Sequence, residues 1–141
     1  MIIDGQRASD RSISLVLSYY AAFNRSDWPG MLLTLAVSVA HDINQGKREI
    51  GLTAFREFLT RMAHSYREEV RDLVVMGSPD GRRVAAEFTV HGTYLATDEG
   101  LPPARGQTYV LPAGAFFEVA ENKIARISSY YNLQDWLRQV S

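Results

Sequence analysis

Residues 82–95 constrain this chain most. Val84, Ala86, Phe88, Val90 and Tyr94 share one parity, and Arg83, Glu87, Thr89, His91 and Thr93 share the other. A period of two sustained over this length is a β-strand with one apolar face and one polar face. The apolar face has to be covered by another layer, so the chain must build a sheet and supply helices to pack on it.

The rest of the pattern provides those layers. Ile13, Val16, Leu17, Tyr20 and Phe23 recur at helical spacing, which predicts an amphipathic helix from about Ser9 to Arg25. Ser26 or Asp27 can cap a short second helix with Pro29 in its first turn and Met31, Leu32 and Leu35 on its apolar face. Val37 to Asn44 reads as a strand and Arg48 to Ile50 as a second, short one. Gly51 precedes a third helix whose stripe is Phe55, Phe58, Leu59, Met62 and Tyr66. Four strands follow: Val70–Ser78, Arg82–Leu95, Gln107–Val119 and Lys123–Asn132. Pro79-Asp80-Gly81 turns between the first two, and Glu121-Asn122 makes the last hairpin. Leu133 to Val140 closes the chain as a short helix. The order is α+β: a curved antiparallel sheet wrapped as a cone around three helices, in one domain over residues 1–141. Such a cone leaves a cavity suited to a small molecule.

Composition narrows the function. The chain has 141 residues, no cysteine, three isolated histidines and a formal charge of −1. Disulfides, thiolate zinc sites and cysteine nucleophiles are excluded, and a histidine-rich metal site is not expected. There is no basic excess for a nucleic acid. No apolar run reaches membrane-spanning length, and residues 1–11 lack the apolar core of a signal peptide, so a cytoplasmic address is the expectation. No Gly-rich phosphate loop, nucleophile elbow or metal-binding helix motif occurs. No cofactor is expected.

The chemistry-bearing candidates lie in the first half. Asp42 stands in a strand beside Val37, Val39 and Ile43. Facing an apolar cavity, its pKa would rise and make it a base near neutral pH; at an edge, it would pair with Lys47 or Arg48. Alternation puts Asn44 on the face of Asp42 and His41 opposite, where a structural role is expected. Tyr19 and Tyr20 point about a hundred degrees apart on their helix. One can pack in the core while the other offers a phenol to a substrate oxygen. Phe55, Phe58, Met62, Phe88 and Phe116 are the expected apolar lining, with Tyr94, Tyr131 and Asn44 as polar contacts. Ala85, Thr89 and Thr93, set between charged residues, give the outer face a mixed surface that suits pairing with a second copy.

Several segments together resemble a known superfamily: Tyr19-Tyr20-Ala21-Ala22-Phe23-Asn24-Arg25-Ser26-Asp27, His41-Asp42, Gly51-Leu52-Thr53-Ala54-Phe55-Arg56-Glu57-Phe58 and Asn122-Lys123-Ile124. The chain resembles the nuclear transport factor 2-like superfamily over nearly its whole length, closest to proteins related to ketosteroid isomerase. The resemblance implies Tyr19 as an oxyanion-binding phenol and Asp42 as a general base. The isomerase's second acid falls near Gly114. The run from His91-Gly92-Thr93-Tyr94 to Leu101-Pro102-Pro103-Ala104-Arg105-Gly106 looks like the SnoaL-like polyketide cyclase branch. That branch often carries His where Tyr94 stands and Asp where Asn132 stands, and related epoxide hydrolases place an Asp near Ser129. The expected function is cofactor-independent proton transfer on a small, mostly apolar carbonyl compound by a homodimer. The alternative is a non-catalytic small-ligand-binding or accessory module using the same cavity.

Overall fold

The computed structural model describes residues 4–43 and 46–141. Helices α1 (Asp4–Asn24) and α2 (Trp28–Leu33) lead into strands β1 (Leu35–Ile43) and β2 (Arg48–Ile50). Helix α3 (Leu52–Ser65) runs directly into β3 (Tyr66–Gly77). Strands β4 (Arg83–Tyr94), β5 (Thr108–Ala120) and β6 (Lys123–Tyr131) and helix α4 (Leu133–Val140) complete the chain.

The strands form one sheet in the order β2-β1-β6-β5-β4-β3. All neighbours are antiparallel except β1 and β6, which run parallel. The sheet is antiparallel as expected apart from this one junction, where the first long strand meets the last without a hairpin to reverse it. Register shifts interrupt β3 between Arg71 and Val74 and the β5–β6 ladder at Glu118 and Val119. Asp72, inside the first, takes φ 55°. Such irregularities bend strands and increase twist, curling the sheet around its helices.

Local chemistry sets the helix ends. After α1 the chain turns through Ser26 at φ 56°, and Asp27 caps α2 by accepting the Gly30 N–H at 2.9 Å. Asn24 ties the end of α1 to the sheet: its amide donates to the Val70 carbonyl at 2.9 Å and accepts the Val70 N–H at 2.8 Å.

The inner face of β4 carries Val84, Ala86, Phe88 and Tyr94, all buried, as the alternation requires. The Tyr20 ring sits 5.0 Å from Phe88, and Tyr19 lies 6.0 Å from Phe117. Phe55 and Leu59 bring α3 into the same core. A second cluster joins Tyr94, Tyr109, Leu111, Trp136 and Val140, so α4 closes one end of the fold. Each buried aromatic or aliphatic side chain contributes about 1.5–3 kcal/mol. Among the described residues no helix is long and apolar enough to cross a membrane.

Strand β3 begins at Tyr66, four residues before the expected Val70. Tyr66 lies at helical spacing from Phe58 and Met62, yet its φ of −136° is extended. Pairing with Tyr94 in the ladder outweighs its helical phase.

Candidate functional site

Strand β1 decides the fate of Asp42. Val39 and His41 are buried, whereas Val37 is 79% exposed, so the inward parity is that of the odd residues beyond Val37. Asp42 therefore stands on the outer face. Arg48 grips both its oxygens, Nε on Oδ1 at 2.6 Å and Nη2 on Oδ2 at 3.0 Å. The Ser128 hydroxyl donates to Oδ2 at 2.5 Å and itself accepts from Arg126. The hydrogen bonds from Arg48 and then Ser128 hold the Asp42 carboxyl well below the usual carboxylate range. The expectation of a raised pKa and a base in the cavity is thus corrected. Asp42 and Tyr19 lie on opposite sides of the sheet. Asn44 lies outside the described residues.

Tyr19 and Tyr20 are both buried rather than divided between core and cavity. Burial pushes the Tyr19 phenol well above its ordinary value, so it remains a hydrogen-bond donor at every physiological pH. Phe55 and Phe88 are buried, while Phe58 and Met62 are half-buried. Phe116 is corrected: it points outward, 52% exposed, with its ring 5.8 Å from Tyr130, and Phe117 takes the inner position. Tyr94 is also corrected as a substrate contact. It is fully buried, donates to the Pro102 carbonyl at 2.7 Å and accepts the Asp98 N–H at 2.9 Å. Its single proton is committed to holding the 95–107 loop.

Gly114 pairs with Glu87 and Tyr130 on the outer face, between the inward Ala113 and Ala115. It helps line an open depression of about 880 Å³ with Glu87, Thr89 and Tyr130, to which Phe88, Ala113 and Tyr131 also contribute. Its missing side chain therefore removes nothing from the interior.

Inside, the structure assembles an acid that the sequence reading passed over. Glu68 on β3, Gly92 on β4 and Tyr109 on β5 stand in one row across the sheet. Because Gly92 has no side chain, the Tyr109 ring lies across it; a Cβ there would collide with that ring and its hydroxyl. The phenol thereby reaches past the middle strand and donates to Glu68 Oε2 at 2.6 Å. Burial pushes the Glu68 carboxyl up, partly offset by this bond. Burial, and then the Glu68 charge, push the Tyr109 phenol up in turn. Tyr131 stands opposite Ala113 on the inner parity, and its phenol is raised by burial, then by the charges of Glu68 and Asp98. Nearby, the Tyr66 hydroxyl donates to Asp98 Oδ2 at 2.8 Å.

A strand that begins only at Val70 leaves Glu68 outside the sheet. The available signal was Tyr66-x-Glu68-x-Val70, which continues the period of two backwards, with Gly92 as the gap across which a long side chain could lie.

A half-buried carboxyl bonded to a phenol can accept and return a proton, and neighbouring neutral phenols can stabilise a developing oxyanion. Among the described residues no three His, Asp or Glu side chains come together as a metal site.

Comparison with known proteins agrees with the fold. A family model described as the SnoaL-like domain matches residues 16–127. The crystal structure of a candidate polyketide cyclase from Xanthomonas campestris is 59% identical, covering 95% of this chain and 99% of that one with a TM-score of 0.92. Another from Pseudomonas putida is 58% identical, covering 92% and 98%, with a TM-score of 0.91. An NTF2-like protein from Burkholderia xenovorans shares the fold at 16% identity, covering 94% and 98%, with a TM-score of 0.74. No curated protein matches the sequence. With a matching family model over most of its length and close relatives of the same fold along nearly all of it, the chain belongs to the SnoaL-like domain family.

Proposed function

We propose that this protein catalyses cofactor-independent proton transfer on a small, mostly apolar carbonyl compound held inside the curled sheet. The observation that carries the reading is the Glu68–Tyr109 pair: a carboxyl raised by burial and bonded to a phenol at 2.6 Å. In its ionised form Glu68 removes a proton alpha to the carbonyl and later returns it. Tyr109 holds the ionised carboxylate through its O–H. Tyr131 stands on the inner parity, close enough for the Glu68 and Asp98 charges to raise its phenol. The relatives from Xanthomonas and Pseudomonas, named as candidate polyketide cyclases, support the substrate class. A polyketide is a chain of carbonyls flanking acidic C–H groups.

The test uses a simple 1,3-diketone and follows its α-proton exchange with deuterium by NMR. Glu68→Gln should lower the exchange rate roughly 100-fold or more while the protein stays folded. Exchange that survives in folded Glu68→Gln overturns the assignment. A non-catalytic binding module is the second reading, favoured by the Asp42–Arg48 ion pair, which makes the carboxylate at the isomerase-like position structural. Under that reading Glu68→Gln and wild type bind the diketone alike and neither exchanges it.

The same proposal includes a homodimer through the outer sheet face. The support is the exposed Phe116–Tyr130 ring pair, with Val74 and Met76 also exposed.

A further inference from the structure

The outer face of the sheet carries three rows of side chains across β4, β5 and β6. The first is Arg83–Glu118–Arg126, the second Ala85–Phe116–Ser128 and the third Glu87–Gly114–Tyr130. Met76 and Val74 of β3 extend the second and third. In the first row both guanidiniums share one carboxylate oxygen, with Arg83 Nη2 and Arg126 Nε each 3.3 Å from Glu118 Oε1, which leaves the row a net positive charge. The third row is negative. Glu87 lines the Gly114 depression together with Asp72, and among the described residues neither carboxylate has an ion-pair partner. Between the charged rows runs an apolar one whose Met76 and Phe116 are exposed. Neighbouring rows lie roughly 7 Å apart, two residues along the strand. Gly114 leaves the third row low at its centre, and a glycine inside a strand marks a place where another chain or a ligand approaches closely.

We propose that, in the homodimer of the proposed function on which this rests, the Arg83–Glu118–Arg126 row of one copy seats over the Gly114 depression of the other, with the two-fold axis along the Phe116 row. Two sheets packed face to face lie about 10 Å apart with their strands nearly aligned. A two-fold axis in the interface plane, running across the strands, sets each strand over the same strand of the second copy and reverses the order of the rows. The positive row of each copy then covers the negative row of the other. Arg83 meets the partner's Glu87, which otherwise has no cation. Arg126 meets the partner's Tyr130, where a guanidinium can stack on the ring. Phe116 meets the partner's Phe116 at the centre. Every off-axis contact forms twice, as a self-complementary interface requires. An axis along β5 would instead put β4 over the partner's β6. It would set Arg83 against the partner's Arg126 and leave Glu87 facing a phenol ring. Opposed like charges disfavour that arrangement.

The experiment is sedimentation of the full chain at micromolar concentrations with two charge reversals at exposed side chains, Arg83→Glu and Glu87→Arg. Each variant alone opposes like charges at both symmetric contacts and should raise the dimer Kd roughly 100-fold or more. Mixed in equal amounts, the two variants should dimerise with a Kd within about tenfold of wild type, because both contacts of the mixed pair regain opposite charges. Should a reversal variant not fold, Glu87→Gln, which keeps the shape and removes the charge, should raise the Kd about tenfold. Folded variants that dimerise as wild type does, or a mixture that stays monomeric, overturn this arrangement and leave the homodimer reading standing. A wild type that is itself monomeric overturns both. A crystal structure with a small molecule or a different protein seated in the Gly114 depression also overturns the arrangement.

Discussion

The most quantitative consequence of the interior chemistry is an acid sensitivity that belongs to one imidazole. Burial between Phe55 and Phe58 lowers the His41 pKa from the ordinary 6.5 to about 4, partly offset by Glu49 and then Asp42. Between those two values the unfolded chain carries a proton on this residue that the folded protein does not. Stability therefore rises with pH across the window and is lost as pH falls through it. Two and a half pKa units correspond to about 3 kcal/mol when fully developed, and to about 2 kcal/mol at about pH 5 relative to about pH 7.5. Glu68 acts in the opposite sense, because its raised pKa lets the folded protein take up a proton first and gain stability on acidification. Comparing wild type with His41→Phe cancels Glu68. Phenylalanine keeps a ring in the same aromatic nest. Urea unfolding of both proteins, followed by the fluorescence of Trp28 and Trp136, should show the wild-type advantage over His41→Phe falling by about 2 kcal/mol from about pH 7.5 to about pH 5. Parallel pH profiles for the two proteins would refute a neutral, buried His41.

Three further outcomes follow from named contacts. Gly92→Ala should destabilise the protein by about 1–3 kcal/mol by driving the Tyr109 ring off Glu68; the Glu68 carboxyl, observed by carbon NMR, should then titrate still higher, and an unchanged titration contradicts the row across the sheet. Asp42→Asn should cost about 1–2 kcal/mol in urea unfolding through its Arg48 and Ser128 contacts, discounted for partial exposure, while diketone exchange is spared. Phe116→Asp should leave stability nearly unchanged and convert a dimer to a monomer in sedimentation, and a wild type that is already monomeric at micromolar concentration refutes the outer-face interface.

The fold was legible where hydrophobic period and turn chemistry spoke together. The run of β4 has an unbroken alternation and a Pro-Asp-Gly turn before it, and its inner residues are the buried ones. The helices α1 and α3 follow their stripes for the same reason: each has a wide apolar face that only one packing direction can bury. The parallel meeting of β1 and β6 was not legible, because strand neighbours far apart in sequence leave no local signature.

The site was less legible because it turns on parity, and parity needs an anchor. In β1 the apolar residues Val37, Val39 and Ile43 all alternate with Asp42, which by period two sets the carboxylate on the other face; the exposed Val37 and the buried polar His41 blur that parity, and it is the resemblance to the isomerase that implies a cavity role for Asp42. What settles the matter is tertiary: Phe55 and Phe58 of α3 supply an aromatic wall that a neutral imidazole can join, and Arg48, one short hairpin away on the other face, claims Asp42. For β3 the obstacle was the absence of any break between helix and strand. Tyr66 satisfies the helical stripe and the strand alternation at once, and only its ladder with Tyr94 selects the second. Once β3 starts at Tyr66, the inward position of Glu68 follows from period two, and Gly92 explains how a phenol two strands away can reach it. A glycine in the interior of an otherwise strong strand costs about 0.5–1 kcal/mol relative to alanine. That cost is offset where the absent side chain lets Tyr109 keep a half-buried carboxyl hydrogen-bonded. The weakest-looking position in the clearest strand is thus the one that builds the acid.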